Sequence, residues 1–291
     1  MDTGSGAEVR ADEGSVVDEP LFGPGSMTWR IHSDPVFAVG GVRALIMQAL
    51  HPLAMAAVDQ HHSFEDDFWG RLERTTSYVS TLTFDPATSA RRSAARVRGI
   101  HRKLRGIDPK TGLEFRLDRP DLLLWVHCCE VDSLLSTARR AGAPIGEQDA
   151  DTYLREQVLT AEMVGIPAVM VPTTVVALAE YFAGVRPELA LTPEARRGVK
   201  RLAIPPMTTW VKYLTPARPA WAGLAGLAFA LQPKWARRLY KLPGLPTTDL
   251  AATAALRAIR AGVVALPEKW TGPPHVVQAR AQIEQFAQQA G

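Results

Sequence analysis

The chain has 291 residues, 46% of them hydrophobic and 22% charged, with a formal net charge of +3 and a pI near 9.0. That is enough apolar material for one large core or two small ones, and so mild a positive charge excludes a dedicated nucleic-acid binder. The only cysteines, Cys128 and Cys129, are adjacent, which excludes a disulfide framework and zinc spacing and fits a reducing, cytoplasmic compartment.

The first twenty residues, MDTGSGAEVRADEGSVVDEP, are acidic and lack an apolar h-region. They read as a disordered tail rather than a signal peptide, followed by one domain over 21–291. Apolar periodicity predicts helices over 35–60, 64–83, 86–105, 120–141, 147–164, 172–184, 192–204, 218–231, 234–241, 248–264 and 274–289. Asp85-Pro86 and Thr192-Pro193 each set a capping side chain before a proline at a helix start. Gly106, Gly142, Gly165 and Gly184 stand where helices should stop. Alternating β-branched runs are almost absent, and in the one ambiguous stretch, VMVPTTVV, Pro172 argues against a strand. The expected class is all-α. The longest apolar run, Trp221 to Leu231, falls short of the roughly 20 residues that a bilayer requires. With Arg218 and the Lys234, Arg237, Arg238 and Lys241 cluster it could dock a partner or a membrane surface; the alternative is a buried helix.

Four constellations carry chemistry. His51-Pro52 interrupts an apolar helical run, where proline kinks the helix or frees a carbonyl near position 48. His61 and His62 read as helix-end residues. In EDDFWGRLERTTSYVSTLTF, Thr75 puts a hydroxyl into the stripe Phe68, Leu72, Val79, Leu82, with Arg71 four residues before it and Arg74 beside it. A hydroxyl and guanidinium groups facing a cavity could bind an oxygen species or a polar substrate group. Alternatively Thr75 bonds its own helix backbone and the arginines reach water. In VRGIHRKLRG, His101 continues the stripe Ala90, Ala94, Val97, with Arg98 three residues before and Arg105 four after. A neutral imidazole between two guanidinium groups could ligate haem iron while the arginines hold the propionates. A hydrogen-bonded core histidine with a solvated arginine edge is the alternative. In LLLWVHCCEVDSLLS, His127 and Glu130 share a helix face, as an acid/base or orienting pair or as a structural hydrogen bond. Zinc-protease spacing is absent.

The ordered succession GGVRALIMQALHP, FWGRLERTT, VRGIHRKLRG, LLLWVHCCEVDS, YLREQVLTAEMVGIP and VPTTVVALAEYF resembles the rubber oxygenase (latex-clearing protein) and MpaB-type oxygenase family over about residues 30–265. The resemblance implies a globin-like helical core, haem b, dioxygen, and an apolar small-molecule substrate of isoprenoid or polyketide type. It makes His101 the iron ligand, Arg98 and Arg105 the haem-side arginines, and Arg71 and Thr75 the pair near the distal pocket. His127 would support the pocket from a neighbouring helix. Rubber-cleaving members carry a lysine where this chain has Arg74, and an arginine can only hydrogen-bond there, not ligate iron. That departure and the missing secretion signal argue against extracellular rubber, and no general base is assigned. A non-catalytic haem or lipid carrier, and a cofactor-free interaction protein, remain open readings of the same fold.

Overall fold

A computed structural model describes residues 18–61, 67–242 and 244–266. The helix expected over 274–289, His62 and most of the N-terminal tail lie outside them. The described residues form thirteen helices and one small hairpin, so the all-α expectation holds.

The short α1 (Met27–His32) begins at Ser26, whose Oγ accepts from Trp29 N at 3.0 Å. The helix expected over 35–60 is two, α2 (Phe37–Gln48) and α3 (Pro52–Gln60), bent by 100°. Pro52 occupies the first turn of α3, where a missing N–H costs nothing, and the His51 ring caps Ala54 N at 3.5 Å. The Gln48 carbonyl at the break accepts the Trp125 indole N–H at 3.0 Å. The break is thereby built into the core.

Next come α4 (Phe68–Phe84) and α5 (Ala87–Lys103), then the antiparallel strands β1 (Arg105–Ile107) and β2 (Glu114–Arg116). α5 ends two residues earlier than expected, and its start departs from expectation too. Pro86 itself is the cap residue, without a side-chain cap from Asp85. The open N–H groups of Ala87 and Thr88 are met instead by Glu19 O at 2.9 Å and Asp18 Oδ1 at 3.1 Å. Gly106 does not end a helix either. It lies in β1 opposite Phe115, and a Cβ there would come within 2.6 Å of the ring.

The central helix is α6 (Pro120–Arg140), apolar around most of its circumference: Leu124, Trp125, Cys128, Cys129, Val131 and Leu134 are all buried. α2 packs along it at Gly40, where a Cβ would meet Leu134 at 3.0 Å. Arg43 on α2 is only 3% exposed. Its guanidinium donates from Nη1 to Asp132 Oδ2 (2.8 Å) and Ser133 Oγ (2.7 Å) and from Nε to Leu231 O (3.0 Å). α7 (Glu147–Val164) closes at Gly165, which takes a left-handed φ of +106°.

The VMVPTTVV stretch is no strand. A 3-10 turn at Ala168–Met170 leads to Thr174, which caps α8 (Val175–Val185); Gly184 lies inside that helix. Thr192 caps α9 (Pro193–Ala203) as its sequence predicts, accepting from Ala195 N at 3.2 Å. Then follow α10 (Thr209–Leu214), α11 (Ala217–Ala230), α12 (Lys234–Leu239) and α13 (Pro246–Val264). α11 carries the Trp221–Leu231 run and packs Trp221, Leu224 and Leu227 on the core, which favours the buried alternative for it. Among the described residues no single helix is long and apolar enough to cross a membrane.

Candidate functional site

The site elements are α4, α5 and α6. α4 starts where it does because Asp67 caps it, Oδ1 accepting from Gly70 N at 3.1 Å. From that start, helical spacing puts Arg71, Thr75, Tyr78 and Leu82 on one face. Arg74 is not among them. Its Nη1 reaches back to Asp67 Oδ2 at 2.8 Å, and the pair is largely exposed. The cap's second oxygen claims this arginine, so the described geometry gives it to the helix start and not to a pocket. Thr75 Oγ1 donates to Arg71 O at 2.9 Å, the backbone bond of the structural alternative. That bond uses its only proton and leaves acceptor lone pairs. Arg71 is half-buried, and burial lowers its guanidinium pKa, with Arg74 adding to the effect.

Sequence reasoning missed Tyr78, although its place one turn after Thr75 on the same face was available. The hydroxyl is buried without a hydrogen-bond partner. Burial, and next the charge of Glu130 on α6, push its pKa up. Glu130 itself is pushed up to about 7 by burial, and His127, one turn earlier, is pushed down to about 4 by the same cause. Nε2 of His127 is buried and unbonded, so the expected His127–Glu130 hydrogen bond does not form on that nitrogen. Both side chains are surrounded by protein yet keep some accessible area.

His101 lies in the last turn of α5, partly buried, with Nδ1 enclosed and without a partner. Burial lowers its pKa against a smaller opposing effect of Asp118, which favours the neutral ring. Arg98, one turn before, donates from Nη1 to Met163 O at 2.9 Å, satisfying an open carbonyl at the end of α7 and locking α5 to it. Arg105 departs from expectation. The helix ends at Lys103, so the residue belongs to β1 and the four-residue spacing from His101 no longer describes a helix face. Its guanidinium folds back over the last turn, donating to Arg102 O (2.7 Å) and Leu104 O (2.9 Å), with Glu114 at 3.9 Å. The strand it sits on is held to α3: Gln60 exchanges two hydrogen bonds with Ile107, and the His61 ring pairs with Arg105 O at 2.9 Å. His61 is thus the helix-end residue that the sequence predicts.

Arg98, His101 and the Arg105 guanidinium thus lie around one helix end, while Glu130 acts on Tyr78 through its charge, with no hydrogen bond to the Tyr78 hydroxyl. No described contact joins His101 to Thr75 or Arg74. A groove of about 980 Å³ opens beside the start of α4, walled by Trp69, Met207, Val211, Trp221 and Leu224. Trp69 and Trp221 meet edge to face at 5.0 Å, and their indoles donate to Pro206 O and Leu202 O.

No curated protein and no solved structure matches the chain. The family described as the ER-bound oxygenase mpaB/B'/Rubber oxygenase, catalytic domain, matches residues 29–264, a span that runs from α1 to the end of α13 and includes Arg71, Thr75, Tyr78, His101 and Glu130. By that match and by its all-α architecture, the chain belongs to the mpaB/rubber oxygenase catalytic-domain family.

Proposed function

We propose that this oxygenase-family domain binds haem b and uses dioxygen to oxidise an apolar small molecule. The observation that carries the reading is His101: an imidazole whose pKa burial lowers, with an enclosed, unbonded Nδ1, Arg98 one turn before it and the Arg105 guanidinium folded over the same helix end. Among the described residues, no three His, Cys, Asp or Glu side chains gather where they could hold a cation. A metal at His101 would take its remaining ligands from the group that carries it, as haem iron does. Each guanidinium has five N–H groups, so Arg98 and Arg105 keep donors for propionates beyond the carbonyls they already serve. The residues present fit the group.

When bound, haem would supply a redox-active iron. The chain's own residues do the rest. Arg71, charged and desolvated, supplies donors where negative charge develops on oxygen. Thr75, its proton committed to Arg71 O, serves as an acceptor that positions a polar group. Glu130, its pKa pushed up to about 7 by burial, holds or releases a proton on α6, and its charge acts on the Tyr78 hydroxyl. His127 stays neutral and lines the same face of α6.

The test is an absorbance spectrum of freshly purified protein, with and without added haemin. A Soret band at one haem per chain is expected, together with dioxygen uptake in the presence of apolar substrates. No band under either condition would refute the cofactor assignment. A band without dioxygen uptake would refute the oxygenase and leave a carrier.

A further inference from the structure

Between Glu194 and Asp249 the chain contains ten lysines and arginines and no acidic residue, although its net charge is only +3. In the middle of that stretch, large apolar side chains stand in solvent: Ile204 is 58% exposed, Trp210 63%, Tyr213 66% and Leu214 80%. They occupy the segment from the end of α9 through α10. Lys200 and Arg218 flank them, both exposed, and the Lys212 ammonium sits 4.9 Å from the Tyr213 ring. Behind α10 lies the apolar groove that reaches Trp69, two residues before Arg71.

Tryptophan, tyrosine and leucine projecting among basic side chains is the chemistry of the membrane interface. The aromatic rings settle at headgroup depth, the aliphatic tips enter the acyl boundary, and the cations meet lipid phosphates. We propose that the face formed by the end of α9 and by α10 docks on a bilayer containing anionic phospholipid, placing the groove beside α10 at the lipid boundary. The charge decides among occupants. Two copies of this chain would oppose basic face to basic face, which repel. Of the chain's own segments outside the described residues, 267–291 carries two glutamates, one lysine and one arginine and offers no net negative charge to match, and the acidic segment 1–17 contains no aromatic residue, leucine or isoleucine to cover the four large apolar side chains. The inference is independent of the haem reading, since it uses neither the cofactor nor His101.

The test is co-sedimentation of the full chain with vesicles of phosphatidylcholine alone and of phosphatidylcholine with added phosphatidylglycerol. Binding is expected to the anionic vesicles only, and to weaken as salt is raised. Each basic side chain removed should weaken it about fivefold, so Lys200→Ala combined with Arg218→Ala should cost about 25-fold. Trp210→Ala with Leu214→Glu, on exposed positions that leave the core intact, should abolish it. No vesicle binding by the wild type would overturn the proposal, as would equal binding to neutral vesicles or binding that neither variant alters. Light scattering that shows a dimer dissolved by Leu214→Glu, without wild-type vesicle binding, would overturn it in favour of a second copy.

Discussion

Replacing Glu130 by glutamine isolates the buried acid of α6. In the folded chain its pKa is pushed up to about 7 by burial; its ordinary value is 4.5. Between those two values the unfolded chain has released this proton while the folded chain keeps it. The folded state binds more protons, so stability falls as pH rises through the window: the contribution is fully present below about 4.5 and lost above about 7. At about 1.4 kcal/mol per pH unit, the gap is worth roughly 3 kcal/mol. The amide of the variant does not titrate. His127 and His32, pushed down to about 4 and about 3, act in the opposite direction, because the unfolded chain takes up their protons first as pH falls below 6.5. Both are present in the two proteins and cancel in the difference. Urea unfolding of ligand-free wild type and Glu130→Gln, at pH 5 and pH 8, should show the variant gaining up to roughly 3 kcal/mol relative to wild type at the higher pH, with m unchanged. A difference that is the same at both pH values would mean that Glu130 is an ordinary, solvated acid.

Two further outcomes concern the core and the hairpin. Burial, reinforced by Asp132 for Cys128 and by the neighbouring thiol for Cys129, raises both cysteine pKa values, so neither should react with an aromatic disulfide reagent at pH 8 until the chain is unfolded; rapid labelling of the native protein would contradict that packing. Gly106→Ala should destabilise by about 1–3 kcal/mol, because the new methyl meets the buried Phe115 ring, and an unchanged melting temperature would show that the hairpin yields freely.

Helix existence is legible because it depends on local spacing. The 3.6-residue stripes of α4, α5, α6 and α7 can be read from the chain alone. Thr192 caps as its sequence implies, since capping is settled within three residues. The features hidden from the sequence depend on contacts between distant segments. The Asp85 cap fails because Asp18 and Glu19, near the start of the chain, reach the first N–H groups of α5. Arg105 is off the expected helix face because the chain leaves the helix at Leu104 to pair Arg105–Ile107 with Glu114–Arg116, and Gly106 serves that pairing instead of a helix stop. Helices α1 and α10, six residues each, are not among the expected helices, although α12, equally short, is. In the site, the faces are legible and the partners are not. Arg71 and His101 are partly buried, yet Thr75 is exposed and bonded to its own helix backbone, Asp67 takes Arg74, and Tyr78 becomes informative only through the charge of Glu130 on a distant helix.

The proposed ligation of haem iron by His101 alone among the protein's side chains is tested by the spectrum of His101→Gly with and without imidazole. The variant should lose stoichiometric haem while keeping its helical circular dichroism, and imidazole added to the haemin-reconstituted protein should restore a wild-type-like Soret band by standing in for the missing ring. Full haem occupancy in the variant without imidazole would contradict the account and move the ligand elsewhere, with His127 and His51 next to be tested.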